Sequence, residues 1–391
     1  MAFRTLLFLG CCFPNLLPAQ ALDTLPLELP SVQVVAARMG ALERLLPLSA
    51  SVLADSTHWP GEAGLSLSEN LLFVPGLFFL NPDNYAQDLR LSIRGFGSRA
   101  AFGIRGVKVL LDGFPETTPD GQTQVDNLPL EELTRLEVLK GTPSGLYGNA
   151  AGGVLSLQTR EPPPEGSRWA VGATGGSYGL RKVHLSAGGR RPAFGWQLGA
   201  VHTALEGYRE HSALRSTLLN AKLQGERQRS RWMLALNFAD SPRAEDPGAL
   251  TAEQMHTDPR QARDRNLQFD AGEAVRQGRA GLRLEHRLPS GLKLHLKAFH
   301  LLRDFDNRLP FESGGQVDLR RGFSGLEGAL EKHLALKPRL RLHLQGGLSL
   351  ERQSDRRRRY DNLEGQRGPL AFDQTERFHS GALFLLQQWQ W

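Results

Sequence analysis

From Ser167 onward the chain alternates apolar and polar positions. Leu292, Leu294, Leu296 and Ala298 share one face of an extended segment, and Lys293, His295 and Lys297 share the other. Leu340, Leu342, Leu344, Leu348 and Leu350 oppose Arg341, His343, Gln345, Ser349 and Glu351, and Trp232, Leu234, Leu236, Phe238 and Ala280, Leu282, Leu284, Leu288 repeat the dyad. Side chains on a strand point to opposite faces in turn, so each segment carries one apolar and one polar wall. The pattern predicts about ten strands, near 168–174, 178–187, 195–203, 215–225, 231–239, 277–288, 292–303, 320–335, 339–351 and 378–389.

A water-soluble sandwich shares this period, and two features separate it from a membrane barrel. The predicted strands run to about ten residues, the length a tilted strand needs to cross hydrocarbon. Short connections (226–231, 289–291, 336–338) alternate with long ones (205–214, 240–276, 304–320, 353–377), as in outer-membrane barrels. Trp169, Tyr178, Trp196, Tyr208, Trp232 and Trp389 lie near predicted strand ends, where interfacial aromatic girdles belong.

Before Ser167 the texture differs. Arg4, the apolar stretch Thr5 to Leu17 and Ala19-Gln20-Ala21 read as a signal peptide over 1–21. Cys11 and Cys12, the two cysteines of the chain, fall inside it, so the mature chain has no disulfide framework or thiolate metal cluster. Residues 22–40 form a linker and 41–160 a compact mixed domain. Glu161-Pro162-Pro163-Pro164-Glu165 ends that domain, since proline continues neither helix nor sheet. Residues 167–391 carry the strands. Short helices are expected at Leu71 to Val74 and Leu128 to Leu133, and short strands at Val107 to Leu111 and Leu136 to Leu139.

Five segments of the mixed domain resemble the plug of TonB-dependent outer-membrane receptors, in the family's order. They are Asn70 to Leu77, Leu91 to Gly97 (with Ile93-Arg94-Gly95-Phe96), Gly106 to Pro115 (with Asp112-Gly113), Glu131 to Gly148 (with Lys140-Gly141-Thr142-Pro143) and Ala151 to Leu157. Lys140 stands for the family's usual arginine and Ser156 for its usual asparagine. The resemblance implies a small α/β plug followed by an antiparallel transmembrane β-barrel, of which about ten of some twenty-two strands are present. On that count the chain is expected to be a truncated piece of a longer receptor.

The function implied is TonB-dependent uptake of a scarce ligand across the outer membrane, a ferric siderophore or other metal chelate. The alternatives are a non-iron small cofactor or an oligosaccharide, or a non-functional fragment. The implied partners are a TonB-type energy-transducing protein in the periplasm, the small-molecule ligand, outer-membrane lipid and the barrel-assembly machinery, around a monomer. Ser31, Val32, Gln33, Val34 and Val35 lie where the family places its TonB box, which acts by strand addition; the same β-prone strip reads equally as the plug's own first strand. Ligand contacts are expected from Arg99, Phe102, Asp120 and Gln122 on plug loops, and from Arg356 and Arg357 in a basic run on a barrel loop.

The net charge of +6 is scattered and forms no nucleic-acid stripe. Gly95-x-Gly97-x-x-Ala100 has no room for the helix of a dinucleotide site before Val107. No Walker motif or nucleophile elbow is present, so no enzyme activity and no cofactor are expected. The histidines are dispersed, and no metal ligand set is expected among them.

Overall fold

A computed structural model describes residues 33–34, 41–42, 49–54, 63–141 and 144–391. The expected signal peptide and most of the linker, including Ser31, Val32 and Val35, lie outside the described residues. Gln33 and Val34 form β1 (Gln33–Val34), which pairs antiparallel with β2 (Ala41–Leu42).

The small domain is a mixed five-stranded sheet. Its strands are β3 (Ser49–Ala54), β7 (Val107–Leu111), β8 (Phe114–Pro115), β10 (Leu133–Lys140) and β11 (Gly153–Thr159), in the order β3-β10-β11-β7-β8. Within it, β11 and β7 run parallel and the other pairs antiparallel. Two smaller pairs flank it, β4 (Leu77–Leu80) with β5 (Arg90–Ile93), and β6 (Ile104–Arg105) with β9 (Gln122–Thr123). β7, β10 and β11 are buried almost throughout; β7 and β11 are mostly apolar, and β10 carries the charged Arg135, Glu137 and Lys140 among its buried leucines and valine. Leu91, Ile93, Val107, Val109, Leu136, Val138, Leu155 and Leu157 form the core.

Helix α1 (Leu67–Leu71) starts four residues earlier than the sequence predicts. Ser66 and Glu69 form a capping box there and fix the start ahead of the apolar run. The second predicted helix shrinks to a 3-10 turn at Leu130–Glu132, because Leu133 is drawn into β10. A single-turn helix α2 (Ser144–Tyr147) precedes β11.

The remainder is one antiparallel ten-stranded sheet in simple up-and-down order. Its strands are β12 (Ser167–Gly175), β13 (Arg181–Arg191), β14 (Phe194–Leu205), β15 (Leu214–Arg227), β16 (Ser230–Glu245), β17 (Gly272–Arg287), β18 (Lys293–Arg308), β19 (Gln316–Lys337), β20 (Leu340–Leu363) and β21 (Gln366–Gln390). The sheet curves around the small domain, and β12 and β21 are its edges, so it is not closed. One face meets the small domain. The other presents Leu198, Leu219, Leu236, Leu282, Leu302, Leu326, Leu348 and Leu383, all exposed. This is the apolar-out pattern of a barrel wall in lipid. No helix among the described residues is long and apolar enough to cross a membrane.

One expected loop is not a loop. Residues 353–377 continue β20 and β21 to a tight turn at Glu364-Gly365. Asp355, Arg356, Arg358, Asp373 and Glu376 look loop-like in sequence, but they belong to paired strands whose outer face also turns polar, while Asp355 is buried toward the small domain. β21 has 25 residues. At about 3.3 Å each it spans some 80 Å, more than twice the hydrocarbon thickness. The other connections keep the expected asymmetry. Residues 246–271, between β16 and β17, carry helices α3 (Ala252–Thr257) and α4 (Asp264–Gln268) at the long-loop end. Trp169, Trp196, Trp232 and Trp389 gather near the short-turn end, and Trp169 meets Trp196 edge-on at 6.1 Å.

The candidate ligand face and the interface of plug and wall

A two-residue hairpin fixes how the small domain meets the wall. Leu111 pairs with Phe114 across Asp112-Gly113, and both loop residues have positive φ (53° and 82°). This is the turn that Asp-Gly favours between twisted strands. It aims two side chains at the wall. The ring of Phe114 is fully buried among Met233, Ala235, Phe299, Leu301 and Phe323. It packs edge-on to Phe299 at 6.3 Å, and Phe299 packs likewise on Phe323 at 4.9 Å. Gly281 of β17 makes the space, since a Cβ there would lie 2.6 Å from the Phe114 ring.

Asp112 is the second. Lys222 of β15, itself 1% exposed in its side chain, donates to Asp112 Oδ1, the Thr159 carbonyl and Glu161 Oε1, each at 2.8 Å. Thr159 donates its N–H (2.9 Å) and hydroxyl (2.8 Å) to the same carboxylate. Burial works to raise the Asp112 carboxyl, but Lys222 and the Thr159 donors outweigh it and hold the group below its ordinary range.

Further buried polar ties ring the domain. Arg279 pairs with Glu116, Arg303 with Asp126 (2.8 Å), and His184 and Gln197 reach Glu132 at 2.8 and 3.3 Å. Arg321, held by Asp355 at 2.6 Å, lies 3.8 Å from Asp120, and Gln353 accepts from the Asp120 N–H at 3.3 Å. Such pairs give little net stability against an apolar alternative, but breaking one leaves an uncompensated charge. They make a seat that is specific and water-exchangeable rather than a continuous apolar core.

The predicted ligand residues separate into three groups. Arg99 and Phe102 are exposed on the loop before β6. Asp120 and Gln122 are engaged within the domain. Thr118 donates to Asp120 at 2.6 Å, and Asp120 accepts the Gln122 N–H at 3.2 Å. Burial pushes the Asp120 carboxyl up, but the Thr118 bond and Arg321 prevail and lower it. Arg356 and Arg357 stand on β20, far along the strand from its short-turn end. Arg356 is exposed and pairs with Asp373 at 3.0 Å, and Arg357 lies 3.8 Å from Glu376. The structure therefore does not bring all six residues to one point.

It adds residues that the sequence did not single out. The 81–88 loop meets the β16–β17 connection, where Asn84 and Gln87 donate to the Asp246 carboxylate at 2.9 and 3.0 Å. Arg209 braces that connection through the carbonyls of Pro247 (3.1 Å) and Gln261 (2.8 Å). Beneath it lies a cavity of about 100 Å³ between the domain and the wall, lined by Asp88, Asp126 and Glu273 among others. Burial, and then the Asp126 charge, push the Asp88 carboxyl up to about 7, against the pull of Arg303, Gln124 and Arg321. A carboxyl raised on docking favours the docked state fully below its ordinary pKa, and that contribution is lost as pH rises through about 7. Asp88→Asn should therefore strengthen docking above pH 7, by about 1–2 kcal/mol once solvent screening is allowed for. It should be nearly neutral at pH 4, where the undocked carboxyl is itself partly protonated. Hydrogen exchange of the β7 amides at the two pH values checks this, and equal effects at both would refute it.

Residues 59–154 match the family model of the TonB-dependent Receptor Plug Domain. A stretch of 140 residues is 31% identical to the Vitamin B12 transporter BtuB of Photobacterium profundum, covering 35% of this chain and 22% of that protein. The fold matches the unliganded ferric citrate transporter FecA with a TM-score of 0.75 at 21% identity, over 93% of this chain and 57% of that one. It also matches the pyoverdine outer membrane receptor FpvA from Pseudomonas aeruginosa PAO1 bound to pyoverdine, with a TM-score of 0.70 at 14% identity, over 91% and 56%. The chain thus spans little more than half the length of these structures and under a quarter of the curated relative. Residues 59–154 thus match a TonB-dependent receptor plug domain, and plug and wall together share the fold of these two structures.

Proposed function

We propose that the chain serves TonB-dependent uptake of a scarce ligand across the outer membrane, with a ferric siderophore or similar metal chelate as cargo. The observation that carries this reading is the plug seated against the wall by separate polar ties around a single aromatic anchor. A stopper held this way can be released tie by tie as water replaces each partner, without unfolding the wall. Transport needs only that release and no bond chemistry, so the reading invokes no catalytic group.

The long-loop end would face outward, as in outer-membrane barrels generally. Cargo would meet Arg99 and Phe102 of the plug, together with the 81–88 loop and the β16–β17 connection. Asp120 and Gln122 would support that surface from below. Arg356 and Arg357 would draw anionic chelates along the extended β20–β21 hairpin. The 31% identity to a vitamin B12 transporter favours a second reading, in which the cargo is a corrinoid-like cofactor.

A TonB-type partner would pull on Ser31 to Val35 by strand addition. Gln33 and Val34 already pair with Ala41 and Leu42, so that pull would first have to displace this short ladder. Deleting Ser31 to Val35 should abolish uptake and leave surface binding of cargo intact. Radiolabelled ferric chelates and cyanocobalamin offered to metal-starved cells test both cargo classes at once. Uptake undiminished by the deletion would refute the assignment.

A further inference from the structure

Near the short-turn end of the lumen, three side chains converge from two neighbouring strands. Each lies on the inward-facing set of its strand, the set that also contributes Arg321 and Gln353 to the plug seat. His333 of β19 sits directly across from His343 of β20 in the strand register, and their rings stack at 3.8 Å. Glu331, two residues before His333, shares its face. Its Oε1 lies 3.0 Å from His333 Nε2 and 3.2 Å from His343 Nε2. The donor atoms of these three residues all fall within 4.8 Å of one another.

We infer that Glu331, His333 and His343 form a binding site for a borderline divalent cation of the zinc, copper and nickel class. Two imidazole nitrogens and one carboxylate oxygen suit such ions, and suit the harder calcium or magnesium poorly. Ligand atoms about 2.1 Å from a tetrahedral ion sit roughly 3.4 Å apart. The two carboxylate–imidazole spacings are already close to that and need only a slight opening. The His343 nitrogen is buried and not aligned for a hydrogen bond with any neighbour, although Glu331 is beside it. The stacked rings, 24° from parallel, must turn apart for both nitrogens to face one ion, and the exposed His333 ring has room to do so.

The surroundings are those of an oriented ligand set. His295 of β18 contacts the other carboxylate oxygen at 2.8 Å, and its Nδ1 lies 4.0 Å from Glu285 of β17. Such outer partners fix a ligating carboxylate in place. Lys293 Nζ, 3.1 Å from Glu331 Oε1, neutralises the carboxylate and would have to swing away as the ion enters. Its side chain is one-third exposed, so the path is open. Three protein ligands leave a fourth position for water or for a donor atom of a passing molecule. The site faces the end of the lumen away from the ligand face, and it stands independently of the uptake reading.

Cobalt(II) is the probe, added to the full-length protein in detergent at neutral pH. A single ion should bind with the strong visible absorption of a four-coordinate centre, be displaced by zinc(II) and resist calcium(II). His333→Asn and His343→Asn should each weaken binding roughly tenfold or more. The His333 side chain is 61% exposed, so its replacement tests the site without endangering the fold. Lys293→Gln should tighten binding. No stoichiometric uptake, or cobalt held equally well by both histidine variants, would overturn the proposal. Either result would leave the uptake assignment standing, since that rests on cargo transport.

Discussion

Phe114→Ala is expected to loosen the plug from the wall by about 3–5 kcal/mol, the cost of removing a large aromatic from a packed site. The ring is fully buried and most of its neighbours belong to the wall, so the loss falls on docking more than on the plug's own core. Gly281→Val approaches the same contact from the other side. Its added Cβ would meet the ring at 2.6 Å, and overfilling of this kind costs about 1–3 kcal/mol. The two changes should not add. In Phe114→Ala the socket has room, so Gly281→Val should cost little there and should recover part of the loss through coupling of neighbours. Hydrogen exchange of the Val107–Leu111 amides in the membrane-embedded protein reads all three variants. Additive losses would mean that Phe114 is held by the plug itself and that the socket in β17 is incidental.

The wall and the plug were legible in the sequence for different reasons. Ten strands could be placed because lipid on one side and a polar lumen on the other force the dyad from β12 to β21. The plug was legible through short motifs, and Asp112-Gly113 shows what such a motif does. It is a turn whose two ends deliver Asp112 to Lys222 and Phe114 to Gly281. The signal failed where its physical cause is absent. Residues 353–377 turn polar on their outer face as well, so Arg356 and Asp373 carry no dyad even though they are hydrogen-bonded strand residues. Contacts set by register were equally hidden. Nothing local in the sequence brings His333 to His343 or Asp246 to Asn84, because those meetings depend on how strands and loops align across the sheet. Arg303 and Arg321 looked like ordinary polar-face residues, and only the docked plug shows that each has an acidic partner there.

Lys222→Met should be as damaging as the loss of Phe114, with a distinctive dependence on pH. The substitution keeps most of the side-chain volume and removes the charge that compensates Asp112 in a buried site. Stranding one member of such a pair costs about 3–5 kcal/mol. In the parent protein the Asp112 carboxyl lies below its ordinary range when docked. Its contribution to docking is therefore complete above the ordinary carboxylate pKa of about 4 and is lost as pH falls through the lower, docked value. Without Lys222, only the two Thr159 donors oppose burial and the Asp112 pKa rises, so protonation relieves the penalty. The parent should thus lose docking strength on acidification while the variant regains it, and their difference should shrink toward pH 4. Asp112→Asn in the Lys222→Met background should restore much of the loss at neutral pH, because a neutral amide needs no counter-ion. It can still accept one of the two Thr159 hydrogen bonds through its carbonyl. Exchange of the Gly153–Thr159 amides measures each state. A Lys222→Met penalty that stayed constant from pH 8 to pH 4, or that Asp112→Asn failed to reduce, would show that Lys222 acts by packing alone. The plug would then have to be released by breaking apolar contacts rather than by exchanging an ion pair for water.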